Sequence, residues 1–255
     1  MRKPNYQEYK FNNVYEFANI ISKIVDDENG FCGYNERQFI ESSCKFSKIT
    51  LLHIYIYTQL LNYYHHEYRE LGTCYDEEEY DKWVNIAENY GTSFKTEYSL
   101  DNDNNIYQWY QDNVDVFEEL FKYIADEVFY ILFSNYSFLV KFNRIVVNEI
   151  KNDEGQRDWE FPQNCINHDR TIIRKKIPEW AKKAVFYRDH GKCVFCGKDL
   201  DVSFTKTRSV NYDHIIPLNK YGANDPCNLQ TTCEHCNKSK KNKELYPLYK
   251  YEPWW

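Results

Sequence analysis

The chain has 255 residues, 42% of them hydrophobic, with 24 Tyr, 16 Phe, 6 Trp and a formal net charge of −7. This is the composition of a globular protein with apolar side chain enough for one large or two modest domains. No apolar run reaches the eighteen or so residues of a membrane span, and Met1-Arg2-Lys3-Pro4-Asn5-Tyr6 lacks the apolar stretch of a secretion signal. The expected setting for the nine cysteines is therefore a reducing cytoplasm, away from any membrane.

The first 150 residues read as helical. From Tyr6 to Val25, Tyr9, Val14, Phe17, Ile21, Ile24 and Val25 recur at three- and four-residue steps. Asn29-Gly30 and Gly33 interrupt the chain, and Asn35-Glu36-Arg37-Gln38 has capping-box form for a short helix to about Cys44. A longer helix is expected from Ser47 to Leu71, stopped by Gly72. Asp76 with Glu79 caps another that ends at Tyr90-Gly91, and a long helical run follows from about Gln108 to Ile150, with a break near Ser134-Asn135.

Several features of this region suggest sites and are better read otherwise. Asp101-x-Asp103-x-Asn105 opens like a calcium loop, but Ile106 stands where glycine is needed and Asp112 where a bidentate Glu is usual, so a capping loop is expected. His65-His66 lacks the helical spacing of a zinc protease and reads as a partly buried surface pair. The tyrosine stripes read as core. Cys32, Cys44, Cys74 and Cys165 share no metal-ligand spacing and read as small core residues. Residues 151–170 read as a linker, with a polar stop at Asn152-Asp153-Glu154-Gly155-Gln156 and a helix-averse Phe161-Pro162. At the far end, Leu245-Tyr246-Pro247-Leu248-Tyr249 and Pro253-Trp254-Trp255 form a short aromatic tail, expected to pack against a domain or a partner.

Charge divides the chain at that linker. Residues 171–255 hold 16 Lys and Arg against 9 Asp and Glu, a net +7, which leaves −14 for residues 1–170. A basic unit suits a phosphate backbone and an acidic one does not. Within the basic part, Cys193-x2-Cys196 and Cys233-x2-Cys236 are two knuckles separated by 36 residues, the pairing expected of a structural Zn²⁺ held by four thiolates. Disulfides are the alternative, and the absence of an export signal weighs against them. His235, inside the second knuckle, is a spare candidate ligand whose simpler reading is an exposed side chain.

Zinc does not account for the residues between the knuckles. Ser209-Val210-Asn211-Tyr212 reads as a short strand ending in a polar turn before Asp213-His214, Asn228 to Thr232 as a second strand, and Glu234 to Lys241 as a helix carrying Cys236 and Asn237. Strand, long loop, strand and helix are expected to bring Asp213, His214 and Asn237 to one point. A carboxylate and an amide oxygen are hard ligands for Mg²⁺ or Mn²⁺, and a neighbouring imidazole can deprotonate water.

Taken together, Cys193-x2-Cys196, Asp213-His214-Ile215-Ile216-Pro217, Asn228-Leu229 and Cys233-x2-Cys236-Asn237-x2-Lys240 resemble the HNH endonuclease family, over roughly residues 177 to 245. The resemblance implies a ββα-metal fold with a zinc-stabilised periphery. It implies that His214 is the general base, Asp213 a cation ligand, Asn228 the central asparagine that braces the loop, and Asn237 a second ligand at a position where histidine names the motif. Lys240 would contact phosphate; Arg188 is either structural or a second contact to the nucleic-acid backbone.

The expected architecture is thus a mainly α N-terminal domain (1–150), a linker (151–170) and a small α+β ββα-metal domain (171–255) with structural zinc. The expected activity is metal-dependent hydrolysis of phosphodiester bonds in nucleic acid, DNA foremost. The setting would be a bacterial anti-phage or restriction system, beside an ATPase or other partner. The alternative is a non-catalytic zinc-knuckle module that binds nucleic acid. The charge split further suggests that the acidic helices restrain the basic unit until a partner or ligand draws them away, a restraint that needs direct contact because salt screens exposed charges beyond about 8 Å.

Overall fold

A computed structural model describes residues 9–11, 13–27, 36–71, 77–97, 106–152, 164–200, 210–241 and 243. Outside the described residues lie the Asn29-Gly30 and Gly33 breaks, the Asn35 cap, Gly72, Asp76, the 101–105 loop, Cys32, Cys74, Ser209, most of the expected linker including Gly155 and Pro162, and the aromatic tail.

Helices dominate the first 152 residues: α1 (Val14–Asp26), α2 (Glu36–Ser43), α3 (Leu51–Leu71), α4 (Glu77–Asn89), α5 (Ile106–Asp112), α6 (Val114–Phe133) and α7 (Tyr136–Asn152). The break near Ser134-Asn135 lies where the sequence puts it. A second break falls at Asn113, whose buried side chain accepts from the Lys95 N–H (2.7 Å) and donates to the Thr96 hydroxyl (2.8 Å) and the Trp109 carbonyl (2.9 Å). An asparagine that satisfies a neighbouring loop in this way competes with helix continuation. Beyond come α8 (Glu179–Arg188), strand β1 (Asn211–His214), strand β2 (Leu229–Thr232) and α9 (Glu234–Lys240). The fold is therefore a mainly helical region followed by a small two-stranded sheet with helices, the ββα arrangement that the resemblance implies.

The chain forms two compact units. One comprises Met1–Gly33 and His53–Ile131, the other Tyr34–Leu52 and Leu132–Trp255. In the first, aromatic rings do the packing. Trp83 is fully buried and lies 4.9 Å from the Phe117 ring centroid, 5.1 Å from Tyr64 and 5.9 Å from Phe17. Its indole N–H donates to the Tyr68 hydroxyl at 2.6 Å. Such aromatic contacts contribute about 0.5–1.5 kcal/mol per pair beyond area burial, so the tyrosine stripes serve as core. His65 packs edge-on against Tyr107, with ring centroids 5.3 Å apart, and His66 is exposed.

The second unit joins distant stretches of chain. Asn224 is fully buried; its side-chain N–H groups donate to the Cys44 carbonyl (3.2 Å) and the Ile173 carbonyl (2.8 Å), while its backbone N–H donates to the Ser43 carbonyl (2.9 Å). The buried Asp225 carboxylate accepts from the N–H groups of Leu51 (2.9 Å) and Cys227 (2.8 Å), and burial holds its pKa above the usual carboxylate value. On α7, Asn143 donates to the Cys227 carbonyl at 2.9 Å. Cys44 and Cys165 are core residues as expected, but they are also joined to one another by a disulfide, with a Cα–Cα distance of 5.4 Å. A separation of 121 residues hides that pairing from a reading based on spacing.

Candidate metal-dependent hydrolytic site

The periphery of the site is built from its cysteines. In the first knuckle, Gly197 N–H donates to the Cys193 carbonyl (2.8 Å) and Cys193 N–H to the Lys198 carbonyl (2.9 Å). Gly197 has a φ of +68°, a left-handed conformation that residues with a Cβ adopt at a cost. In the second, the Cys233 sulfur caps α9 by accepting from the Cys236 N–H at 3.4 Å. The sulfurs of Cys193, Cys196, Cys233 and Cys236 lie within 4.8 Å of one another, and the Cys196–Cys233 pair is 3.8 Å apart. Thiolates around one tetrahedral zinc, each at about 2.3 Å, stand about 3.8 Å apart, so these residues fit that ion. Leu200 with Phe186, Phe195 and Val210 packs around them. His235 is exposed and outside the cluster.

The inner residues sit on the ribbon beside this cluster. β1 and β2 pair antiparallel, with Asp213 opposite Gln230 and His214 opposite Leu229, so the Asp-His dipeptide ends a strand and does not lie in the turn after it. His214 is 1% exposed, and neither ring nitrogen has a hydrogen-bond partner among the described residues. Burial, aided by the positive charge of Arg174 and opposed by Asp213, lowers its pKa to about 4. At neutral pH the ring is therefore uncharged with a free lone pair, the state a base needs. An unpartnered buried imidazole costs free energy, which makes His214 a candidate for a functional position.

Asn228 explains how that strand end is held. It is fully buried; its Oδ1 accepts from the Ile216 N–H at 2.8 Å, and its Nδ2 donates to the carbonyls of Ile216 and Ala223, each at 3.0 Å. The Ile215 N–H also donates to the Asn228 carbonyl at 2.7 Å. Gly222 lets the loop close: a Cβ there would lie 2.0 Å from the Ile216 carbonyl oxygen. The residues 215–223 thus fold back onto one asparagine.

Lys240, expected at a phosphate, and Arg188, read as either structural or a nucleic-acid contact, both have side chains buried in ion pairs within the protein. Lys240 is 1% exposed; its ammonium donates to the His214 carbonyl at 2.6 Å and pairs with Asp213 Oδ2 at 2.7 Å. Its position on α9, facing β1, turns it inward. Arg188 is a structural residue: its guanidinium pairs with Asp189 (2.8 Å), donates to the Leu229 carbonyl (2.6 Å) and lies 5.0 Å from the centre of the Phe133 ring. Asp189 in turn accepts from the Thr231 N–H at 2.7 Å, which ties α8 to β2. Asn237 is half-buried and lies on α9, three residues before Lys240.

Three contributors escape a sequence reading. Gln230 lies opposite Asp213 and donates to its Oδ2 at 3.0 Å, a relation visible only once the register is known. Tyr136 reaches Gln230 at 2.6 Å from the start of α7, nearly a hundred residues away and without any motif. Arg174, exposed, belongs to the Arg174-Lys175-Lys176 run that opens the basic part; the neighbouring Lys175 N–H and Ile173 carbonyl are both bonded to the Asn224 side chain (3.3 and 2.8 Å).

No described helix is long and apolar enough to cross a membrane. No curated protein and no solved structure matches the chain. Residues 193–243, however, match the family model of the HNH endonuclease, and the four cysteines within that span cluster as a possible metal site.

Proposed function

We propose that the HNH domain hydrolyses phosphodiester bonds of nucleic acid, DNA foremost, with His214 as the general base. The observation that carries this reading is the buried imidazole with two unpartnered nitrogens beside Asp213, next to a loop held by the fully buried Asn228. Asp213 and Asn237 would hold one Mg²⁺ or Mn²⁺. Bound there, such an ion supplies Lewis acidity at a phosphoryl oxygen and charge neutralisation at the leaving oxygen. His214 takes the proton of the attacking water. Asn228 fixes the strand end that carries His214. Arg174, whose positive charge acts on His214, would meet the negative charge of a phosphate bound there. Zinc on the four cysteines is structural and holds the ends of the domain together.

The test is plasmid cleavage by the full chain, loaded with zinc and supplied with Mg²⁺. His214→Ala is expected to abolish cleavage while zinc content and thermal stability stay near wild type, because the ring lies outside the cysteine cluster. Full activity in a zinc-loaded His214→Ala protein would remove the assignment. A second reading, a non-catalytic module that binds nucleic acid, is favoured by one observation: Asp213 is engaged by Lys240 as in a structural ion pair. It requires wild-type protein to bind DNA and leave it uncut with any divalent cation. The wider setting we infer, a bacterial anti-phage or restriction effector acting with an ATPase or other partner, is supported by the attachment of this domain to a helical region of no recognised family.

A further inference from the structure

Asp213 and Gln230 are cross-strand partners, so their side chains leave the same face of the ribbon. Gln230 is fully buried, with Nε2 donating to Asp213 Oδ2 at 3.0 Å and Oε1 accepting from the Tyr136 hydroxyl at 2.6 Å. Chemistry fixes this direction. A carboxylate only accepts, so the amide nitrogen must face Asp213, the amide oxygen must face Tyr136, and the phenol must donate. Lys240 reaches the same oxygen, Oδ2, at 2.7 Å. Two donors therefore converge on Oδ2, while Oδ1 has no hydrogen-bond or ionic partner among the described residues.

We propose that Tyr136 and Gln230 are positioning residues for the cation: with Lys240 they commit Asp213 Oδ2 to the protein and leave Oδ1 as the single oxygen offered to a hard divalent ion. The proposal rests on the reading of Asp213 as a cation ligand. A carboxylate free to rotate would present either oxygen, or both; one whose Oδ2 is held by an ammonium and an amide binds through the other alone. The hydroxyl of Tyr136 keeps the amide from turning its oxygen toward Asp213, which would set two acceptors against each other. Tyr136 lies outside the span 193–243 that matches the family, so cation affinity in this protein depends on a helix that is not part of the HNH motif.

The experiment uses the full chain loaded with zinc and titrates Mn²⁺, reading bound ion by electron paramagnetic resonance and cleavage rate in parallel. Gln230→Ala is expected to raise the Mn²⁺ concentration for half-saturation about tenfold or more, in line with losses of groups that orient metal ligands, and Tyr136→Phe to raise it by less. In both variants the rate at saturating Mn²⁺ recovers toward wild type, which a merely structural defect would not allow. Tyr136→Phe keeps the ring and decides the matter if Gln230→Ala loses its zinc or unfolds. Unchanged half-saturation, or a lower plateau at unchanged half-saturation, overturns the proposal. Asp213→Asn separates the two levels. If it weakens Mn²⁺ binding and the Gln230 and Tyr136 variants do not, only the positioning role fails; if it too binds Mn²⁺ as wild type does, the cation reading fails and takes the proposal with it.

Discussion

Replacing Asn228 tests whether one buried amide holds the active loop. Asn228→Ala removes three side-chain hydrogen bonds and leaves the Ile216 N–H and the carbonyls of Ile216 and Ala223 without their partner in a fully buried place. Each orphaned buried group costs about 1–3 kcal/mol, and allowing for relaxation of the loop the sum is about 3–5 kcal/mol. At about 3 °C per kcal/mol for a unit of this size, the midpoint should fall by about 10–15 °C. Asn228→Asp is the sharper variant. It keeps the shape and the acceptor for the Ile216 N–H, but it puts a second oxygen against two carbonyl oxygens, so it should be no more stable than the alanine variant. Thermal unfolding of zinc-loaded protein, with plasmid cleavage at a temperature where both variants are folded, reads stability and activity separately. If both variants unfold and cut like wild type, the loop is held by other contacts and the account of the strand end is wrong.

Three further outcomes are expected. Burial lowers the pKa values of His53 and His214 from 6.5 to about 4, and for His53 this outweighs the Asp126 carboxylate 3.8 Å away. The unfolded chain then binds more protons between those values, so the stabilisation is complete above pH 6.5 and is lost as pH falls toward 4, by about 3 kcal/mol per histidine; urea unfolding of His53→Gln between pH 7 and 5 should show a shallower loss than wild type, and equal slopes would count against it. Cys193→Ser or Cys236→Ser should leave less than the one zinc per chain expected by elemental analysis and should destabilise the domain, whereas a zinc-free, stable and active wild-type preparation would contradict the four-thiolate site. A fragment of residues 171–255 lacks the backbone of Ser43, Cys44 and Leu51 and the side chains of Tyr136 and Asn143, all bonded to residues 224–230; it should show weak near-ultraviolet dichroism and broad unfolding, and a sharp transition near that of the full chain would refute this.

The clustering of the four cysteines and the placing of Asp213-His214 at a strand end were legible because each is a local pattern of spacing and residue type, and the bracing of the loop by Asn228 was legible through the family resemblance. Most of the first seven helices were legible for the same reason, since three- and four-residue periodicity is a local property; the break at Asn113 and α8 were not. What the sequence hid is relational. Lys240 reads as a phosphate contact until its face of α9 is known, and Arg188 stays open between a structural role and a nucleic-acid contact until Asp189 and the Leu229 carbonyl are seen around it. The Cys44–Cys165 link and the Tyr136–Gln230 bond join positions 121 and 94 residues apart, where no pattern of neighbours can report them.

The long reach of Asn224 also sets an order of events during synthesis. Its amide bonds the Cys44 carbonyl across 180 residues. At a translation rate of about 5–20 residues per second, the end of α2 waits about 10–40 s for the asparagine that completes its surroundings. The second pair of clustered cysteines, Cys233 and Cys236, comes later still. Until then the emerging chain has neither the closed loop under His214 nor the full set of thiolates. If the proposed hydrolytic activity is right, it is absent, and the nucleic acid of the cell is safe from it, for most of the time the chain is being made.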